Sequence, residues 1–163
     1  SNFRVFEEKK FFQQKNKMTQ VEASQPNFLQ YCWQGNVDEV SKMIEADSSI
    51  VGTCKDYQTA LHITCVQLLR FFVEPVHHRY WRLLKCLLNN GVNVNAQDEN
   101  GDTALHYLMC SKIPVEWLKF EIDLIMKNNP QLDLKNRFGE DIGSDKKFKK
   151  YLENYASRKI LKK

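Results

Sequence analysis

Several familiar chemistries have no foothold in this 163-residue sequence. It holds no Walker-type or dinucleotide-binding glycine loop and no His-Glu-x-x-His, the patterns that would cradle phosphates or hold a catalytic zinc on a helix. No Cys-x-x-Cys pair occurs, and the cysteines (Cys32, Cys54, Cys65, Cys86 and Cys110) are odd in number. Both facts argue against a secreted disulfide framework and a zinc knuckle, and favour a reducing compartment, cytoplasmic or nuclear. No apolar run approaches the roughly 20 residues that a membrane span needs, and no stretch has the pattern of a secretory leader.

What remains is an ordinary globular composition, 42% hydrophobic and 27% charged,. The net charge of +4 is unevenly spread. Residues 1–20 carry +3 and residues 144–163 carry +6, so a mildly acidic centre lies between two basic ends,.

The strongest internal signal is a repeated word. Thr59-Ala60-Leu61-His62 returns 44 residues later as Thr103-Ala104-Leu105-His106, each time with a cysteine soon after. Each copy opens an apolar helical stretch, and a second follows: "WRLLKCLLNNGVNVNAQD" after the first, "FEIDLIMKNNPQLDLKN" after the second. Gly91 stands where a helix should stop. A fainter copy lies upstream in "NFLQYCWQGNVDEVSKMIEADSSIV", where Cys32 precedes Cys65 by 33 positions and Val37, Val40, Met43 and Ile44 share one helical face,. A degenerate copy lies downstream, "NRFGEDIGSDKKFKKYLENY", with Phe148, Tyr151, Leu152 and Tyr155 on one face.

A period near 33 residues with this first-helix word is the ankyrin signature. The chain resembles the ankyrin-repeat family at "DTALH", "LLKCLLNNGVNVNAQDENG" and "GNVDEVSKMI". The resemblance implies an all-α solenoid of three to four helix pairs. Repeats are expected near 26–54, 55–98 and 99–136, with a capping repeat at 137–157, an N-terminal helix and linker at 1–25 and a basic tail at 158–163. It also implies that His62 and His106 hydrogen-bond between neighbouring repeats. Thr59 and Thr103 suit the N-cap position. Gly101 suits a turn needing positive φ; its counterpart in the preceding repeat is Tyr57, a departure from the family pattern.

Two insertions interrupt the period. About eleven extra residues lengthen the first full repeat around "LLRFFVEPVHHR", and a smaller insertion falls at "KIPVE",. Leu68 to Val73 should continue the first helix until Pro75 breaks it, the second helix resuming at Trp81 with His77-His78 in a solvated loop. Pro114 should start the second helix of the next repeat. Lengthened at the same end, the two extensions should lie side by side. Phe71 and Phe72 then either pack internally, the expected outcome for at least one, or form an exposed ridge for a partner.

No residue pattern points to catalysis, a cofactor or a metal; the family resemblance implies recognition of a protein partner by turn tips and exposed first-helix positions. Carried onto this chain, these are Lys55, Asp56, Gln58, Val66 and Gln67, then Glu99, Asn100, Asp102, Cys110 and Ser111, then Asn136, Arg137 and Phe138. His62-x-x-Cys65 and His106-x-x-x-Cys110 are spaced for a nucleophile pair, but they lie on helices expected to stack, where a small cysteine is core. The basic C-terminal helix keeps nucleic acid as an alternative ligand, without the interleaved exposed aromatics of single-strand binders. The segment "FRVFEEKKFFQQKNK" reads as a helix that caps the first repeat or mediates a homodimer.

Overall fold

The computed structural model describes residues 27–55, 57–72 and 76–160, the last six of them by backbone alone. The expected N-terminal helix, Asp56 and the basic tail from residue 161 lie outside the described residues. Seven helices dominate the described residues: α1 (Phe28–Gln34), α2 (Val37–Ala46), α3 (Ala60–Arg70), α4 (His77–Asn89), α5 (Ala104–Cys110), α6 (Lys119–Met126) and α7 (Lys146–Ile160). A 3-10 turn, Ser48–Gly52, follows α2. The fold is not purely α-helical. Cys54–Lys55 (β1) pairs antiparallel with Gln58–Thr59 (β2) in a two-residue ladder.

Local chemistry explains the helix ends. Asn27 and Asn36 cap α1 and α2, their side-chain oxygens accepting from the amides of Gln30 and Glu39 at 3.0 and 3.3 Å,. Gly35, left-handed at φ 68°, reverses the chain between these helices,. Gly91, at φ 76°, ends the α4 segment and lets the Val92 amide reach back to the Leu87 carbonyl.

The helices stack in two rows. α1, α3 and α5 pack in series, as do α2, α4 and α6, and each first-row helix also packs on its own second-row partner. Between the rows runs one apolar core of Cys32, Val40, Ile44, Leu61, Leu68, Leu83, Leu84, Leu87, Leu105, Leu108, Leu118, Ile122 and Ile125. Each fully buried Leu or Ile contributes about 1.5–3 kcal/mol of transfer free energy. α7 closes the far end. Asp145 Oδ1 accepts from the Phe148 amide at 2.9 Å, Phe148 and Tyr151 are buried, and the Tyr151 hydroxyl donates to Asp123 at 2.5 Å.

The insertions are built differently from expectation. α3 stops at Arg70, so the first extension leaves the helix before Phe71. α4 starts at His77 rather than Trp81, which puts His77 and His78 in a helical first turn, not a loop. His77 is half-buried, with Nε2 at 3.4 Å from Glu121 Oε1. α6 begins at Lys119, five residues past Pro114; the Trp117 amide instead donates to the Pro114 carbonyl in a turn. The two extensions do meet: Phe72 stacks on Trp117 with ring centroids 5.9 Å apart.

Candidate partner-binding surface

Three turns line one edge of the stack. Tyr57, Gly101 and Gly139 take the same left-handed place in them, at φ 63°, 76° and 76°. Glycine is necessary at 101, where a Cβ would stand 3.0 Å from Asn136 Cα in the next turn. Tyr57 holds that conformation despite its Cβ, which for a bulky residue is uncommon and strained. Its ring is 70% exposed.

The second and third turns have the same wiring. Asp98 Oδ1 accepts from the amides of Asn100 and Asp102 at 2.7 and 3.0 Å. Asn136 Oδ1 accepts from the amides of Phe138 and Glu140, both at 3.0 Å. Further bonds stitch one turn to the next. The Arg137 amide donates to the Asn100 carbonyl at 2.7 Å and Asn136 Nδ2 to Asp102 Oδ1 at 2.9 Å. Gln97 Nε2 donates to the carbonyls of Gly101 and Lys135 at 2.7 and 3.0 Å. Gln58 Nε2 donates to the Tyr107 hydroxyl, which donates to Asp98 Oδ2 at 2.6 Å.

The repeated histidines complete the frame. In each copy Nδ1 accepts from the amide of the capping threonine, at 3.3 Å for Thr59 and His62 and 3.1 Å for Thr103 and His106. The proton therefore sits on Nε2, assigned from these partners. His62 Nε2 meets the Asp102 carbonyl at 3.0 Å and His106 Nε2 the Glu140 carbonyl at 3.3 Å. Each ring thus ties its own helix start to the following turn.

This frame sorts the sequence-predicted contact residues. Lys55, Glu99, Arg137 and Phe138 are exposed at the tips, with Phe138 50% exposed and the Arg137 guanidinium over its ring at 4.9 Å. Gln58, Val66, Cys110 and Ser111 are half-buried. Gln67, Asn100, Asp102 and Asn136 are buried, so the exposure expected of them is corrected. Asn100, Asp102 and Asn136 spend their polar groups on the turn network, and only their neighbours reach solvent. Tyr57 was legible as a departure from the turn pattern, not as the most exposed aromatic of the described residues. Trp117 and Phe120 are each 60% exposed, and neither stands among the predicted contact residues. They flank the inward Leu118 and Ile122, so the apolar stretch of α6 is wider than its buried stripe.

Phe71 and Phe72 are each half-buried. Phe71 stacks on Tyr80 at 5.7 Å, and Phe72 is sandwiched between Trp117 and the edge of His77. Beside His77 lies Glu121, buried, with Oε2 lacking any hydrogen-bond partner among the described residues. Glu121 and His77 approach as an ion pair, yet desolvation dominates for both. Burial pushes the Glu121 carboxyl above its ordinary pKa and, aided by His78, holds the His77 imidazole below its own,.

Burial works against thiolate formation at the two innermost cysteines. Cys65 is fully buried, and desolvation, with Glu121 nearby, raises its pKa far above the thiol range,. Cys32 is pushed up to about 12, mainly by burial. On α7, Lys147 Nζ donates to the Ser111 carbonyl at 2.7 Å and Lys150 pairs with Glu116 at 2.9 Å, which turns two of its cations toward the protein itself. Among the described residues no helix is long and apolar enough to cross a membrane.

Residues 76–108 match the model of the family described as ankyrin repeats (many copies). The match runs from α4 through the Gly91 turn and the Thr103 cap into α5, and so supports the resemblance read from the sequence, over one repeat length. Ankyrin repeats generally mediate protein–protein interaction. No curated protein gives a significant match to the chain.

Proposed function

We propose that this chain is a non-catalytic recognition module, an ankyrin solenoid of three to four helix pairs capped by α7, that acts as an adaptor, scaffold or regulatory domain for a protein partner. The observation that carries this reading is the stitched row of turns. A network of buried polar groups fixes the turns in register while Lys55, Tyr57, Glu99, Arg137 and Phe138 point outward. A pre-organised row loses little entropy on binding. Its two exposed aromatics are of the kind that dominates interfaces. Cys32, Cys54, Cys65 and Cys86 are free thiols, in keeping with a cytoplasmic or nuclear setting,.

The test is affinity capture of the full chain from lysate, with cross-linking and mass spectrometry, beside a Tyr57→Ser/Phe138→Ala variant whose melting midpoint is checked separately. A partner cross-linked at the turns and lost by the folded variant supports the reading. A partner retained by the variant and cross-linked only elsewhere overturns it.

A further inference from the structure

The turn edge is one end of the helices; the opposite end, where the helices of a pair connect, has its own concavity. A cavity of about 430 Å³ opens between the α1–α2 connection and the first turn of α4, lined by Gln34, Gly35, Asn36, Asp38, Arg79 and Arg82. Its walls are braced. The left-handed Gly35 leaves room that a Cβ would close, since such an atom would stand 2.8 Å from Arg79 Cδ and 2.9 Å from the Tyr80 ring. Tyr80 is buried and its hydroxyl donates to the Trp33 carbonyl at 2.8 Å, which anchors α4 against the end of α1. The stem of Arg79 therefore lies against the glycine backbone. Arg82, one helical turn further on, lines the same cavity.

The charge here runs against that of the central chain. From Pro75 to Gln97 the sequence has Arg79, Arg82 and Lys85 and no acid. Neither arginine makes a hydrogen bond or ion pair among the described residues. Asp38 is the acid in the lining; its neighbour Glu39 is engaged by Lys42 at 2.7 Å. The first turn of α2, whose amides carry the positive end of the helix dipole, also lines the cavity,.

We propose that this cavity binds a phosphate monoester, with the Arg79 and Arg82 guanidinium groups as its clamp. Each guanidinium is a rigid fork that is best met by two oxygens. Two forks one turn apart are satisfied together by a tetrahedral group with three terminal oxygens, whereas a carboxylate has oxygens for one. The volume falls in the range of small-ligand pockets, well above what a bare anion fills. That favours a phosphorylated side chain of a protein over free phosphate. Asp38 opposes the bound charge and so limits affinity. The site lies away from the turn tips, so it stands or falls independently of the partner surface proposed above.

The experiment is an NMR titration of the full chain with N-acetyl-phosphoserine amide, with inorganic phosphate and with N-acetyl-serine amide. Phosphoserine should shift the amides of Gly35, Val37 and Asp38 and the Arg79 and Arg82 Nε–H signals; the serine amide should not. Arg82→Gln and Arg79→Gln should each weaken binding roughly tenfold, the scale of losing a charge-assisted pair. Asp38→Asn should tighten it, a response that merely structural arginines would not give. Inorganic phosphate binding as tightly as phosphoserine, with the same response to the variants, would assign the clamp to the free anion. Absence of shifts with both phosphates, or shifts that persist unchanged in a folded Arg79→Gln/Arg82→Gln protein, would overturn the proposal.

Discussion

The two edges of this stack have been built by different rules. On the turn edge the same bonds recur with the same partners: Asp98 and Asn136 each gather two amides, and His62 and His106 each reach the next turn. On the helix-connection edge nothing recurs. One connection is Gly35 and Asn36, one is a long extension packed through Phe71 and Phe72, and one is a turn around Pro114 that presents Trp117. Hydrogen bonds are directional and buried donors must be paired, so an edge made of them tolerates little change of spacing. Apolar contact is non-directional, and loop length costs little entropy, so insertions accumulate where closure needs only stacked rings.

That contrast can be broken at its stiffest point first. Asp98→Ala should remove the acceptor of two amides and of the Tyr107 hydroxyl at once, and we expect a loss of about 3 kcal/mol in urea unfolding,. A loss within a few tenths would mean that the turn network is not what holds the repeats in register. His106→Ala removes one bridge and should cost about 2 kcal/mol,; an unchanged melting midpoint would deny the bridging role.

The opposite edge should be softer. Phe71→Ala and Phe72→Ala should each cost about 1–2 kcal/mol, less than the 3–5 typical of a fully buried phenylalanine, because both side chains are only half-buried,. Two wild-type midpoints would make the pair a free ridge. The same edge carries a pH signature. Because Glu121 is held above its ordinary pKa, the folded state favours its neutral form and loses stability as pH rises through the carboxylate range,. Because His77 is held below its own, stability also falls as pH drops beneath the imidazole range,. Glu121→Gln should therefore be more stable than the wild type at pH 7, with the advantage shrinking toward pH 4. Melting curves across that interval check the sign, and a variant less stable at pH 7 would show that the His77 pair outweighs desolvation.

One turn-edge residue should respond in the other direction. Tyr57→Gly relieves a left-handed conformation and should gain up to about 1 kcal/mol,. If Tyr57 serves recognition, the same change should weaken partner capture. Stability and binding moving together would argue that its strain has no functional counterpart.

Much of this could be read from residue order. The paired Thr-Ala-Leu-His words, the inward faces of Val40 with Ile44 and of Phe148 with Tyr151, and the stop at Gly91 all follow from local rules: a capping hydroxyl, a 3.6-residue period, a glycine that accepts positive φ,. These rules act within a turn or two of chain, so neighbouring residues suffice to reveal them. Other features required the stacked helices. Asn100, Asp102 and Asn136 look like surface residues until the next turn arrives, some 34 to 40 positions away in sequence, and takes up their polar groups. The end of α3 at Arg70, the burial of Glu121 beside His77, and the convergence of Arg79 and Arg82 on the cavity at Gly35 depend likewise on which helices stand beside each other. Whether a polar side chain faces water, a neighbour or a ligand is set by where distant segments pack, and that information is not contained in any local stretch of the chain.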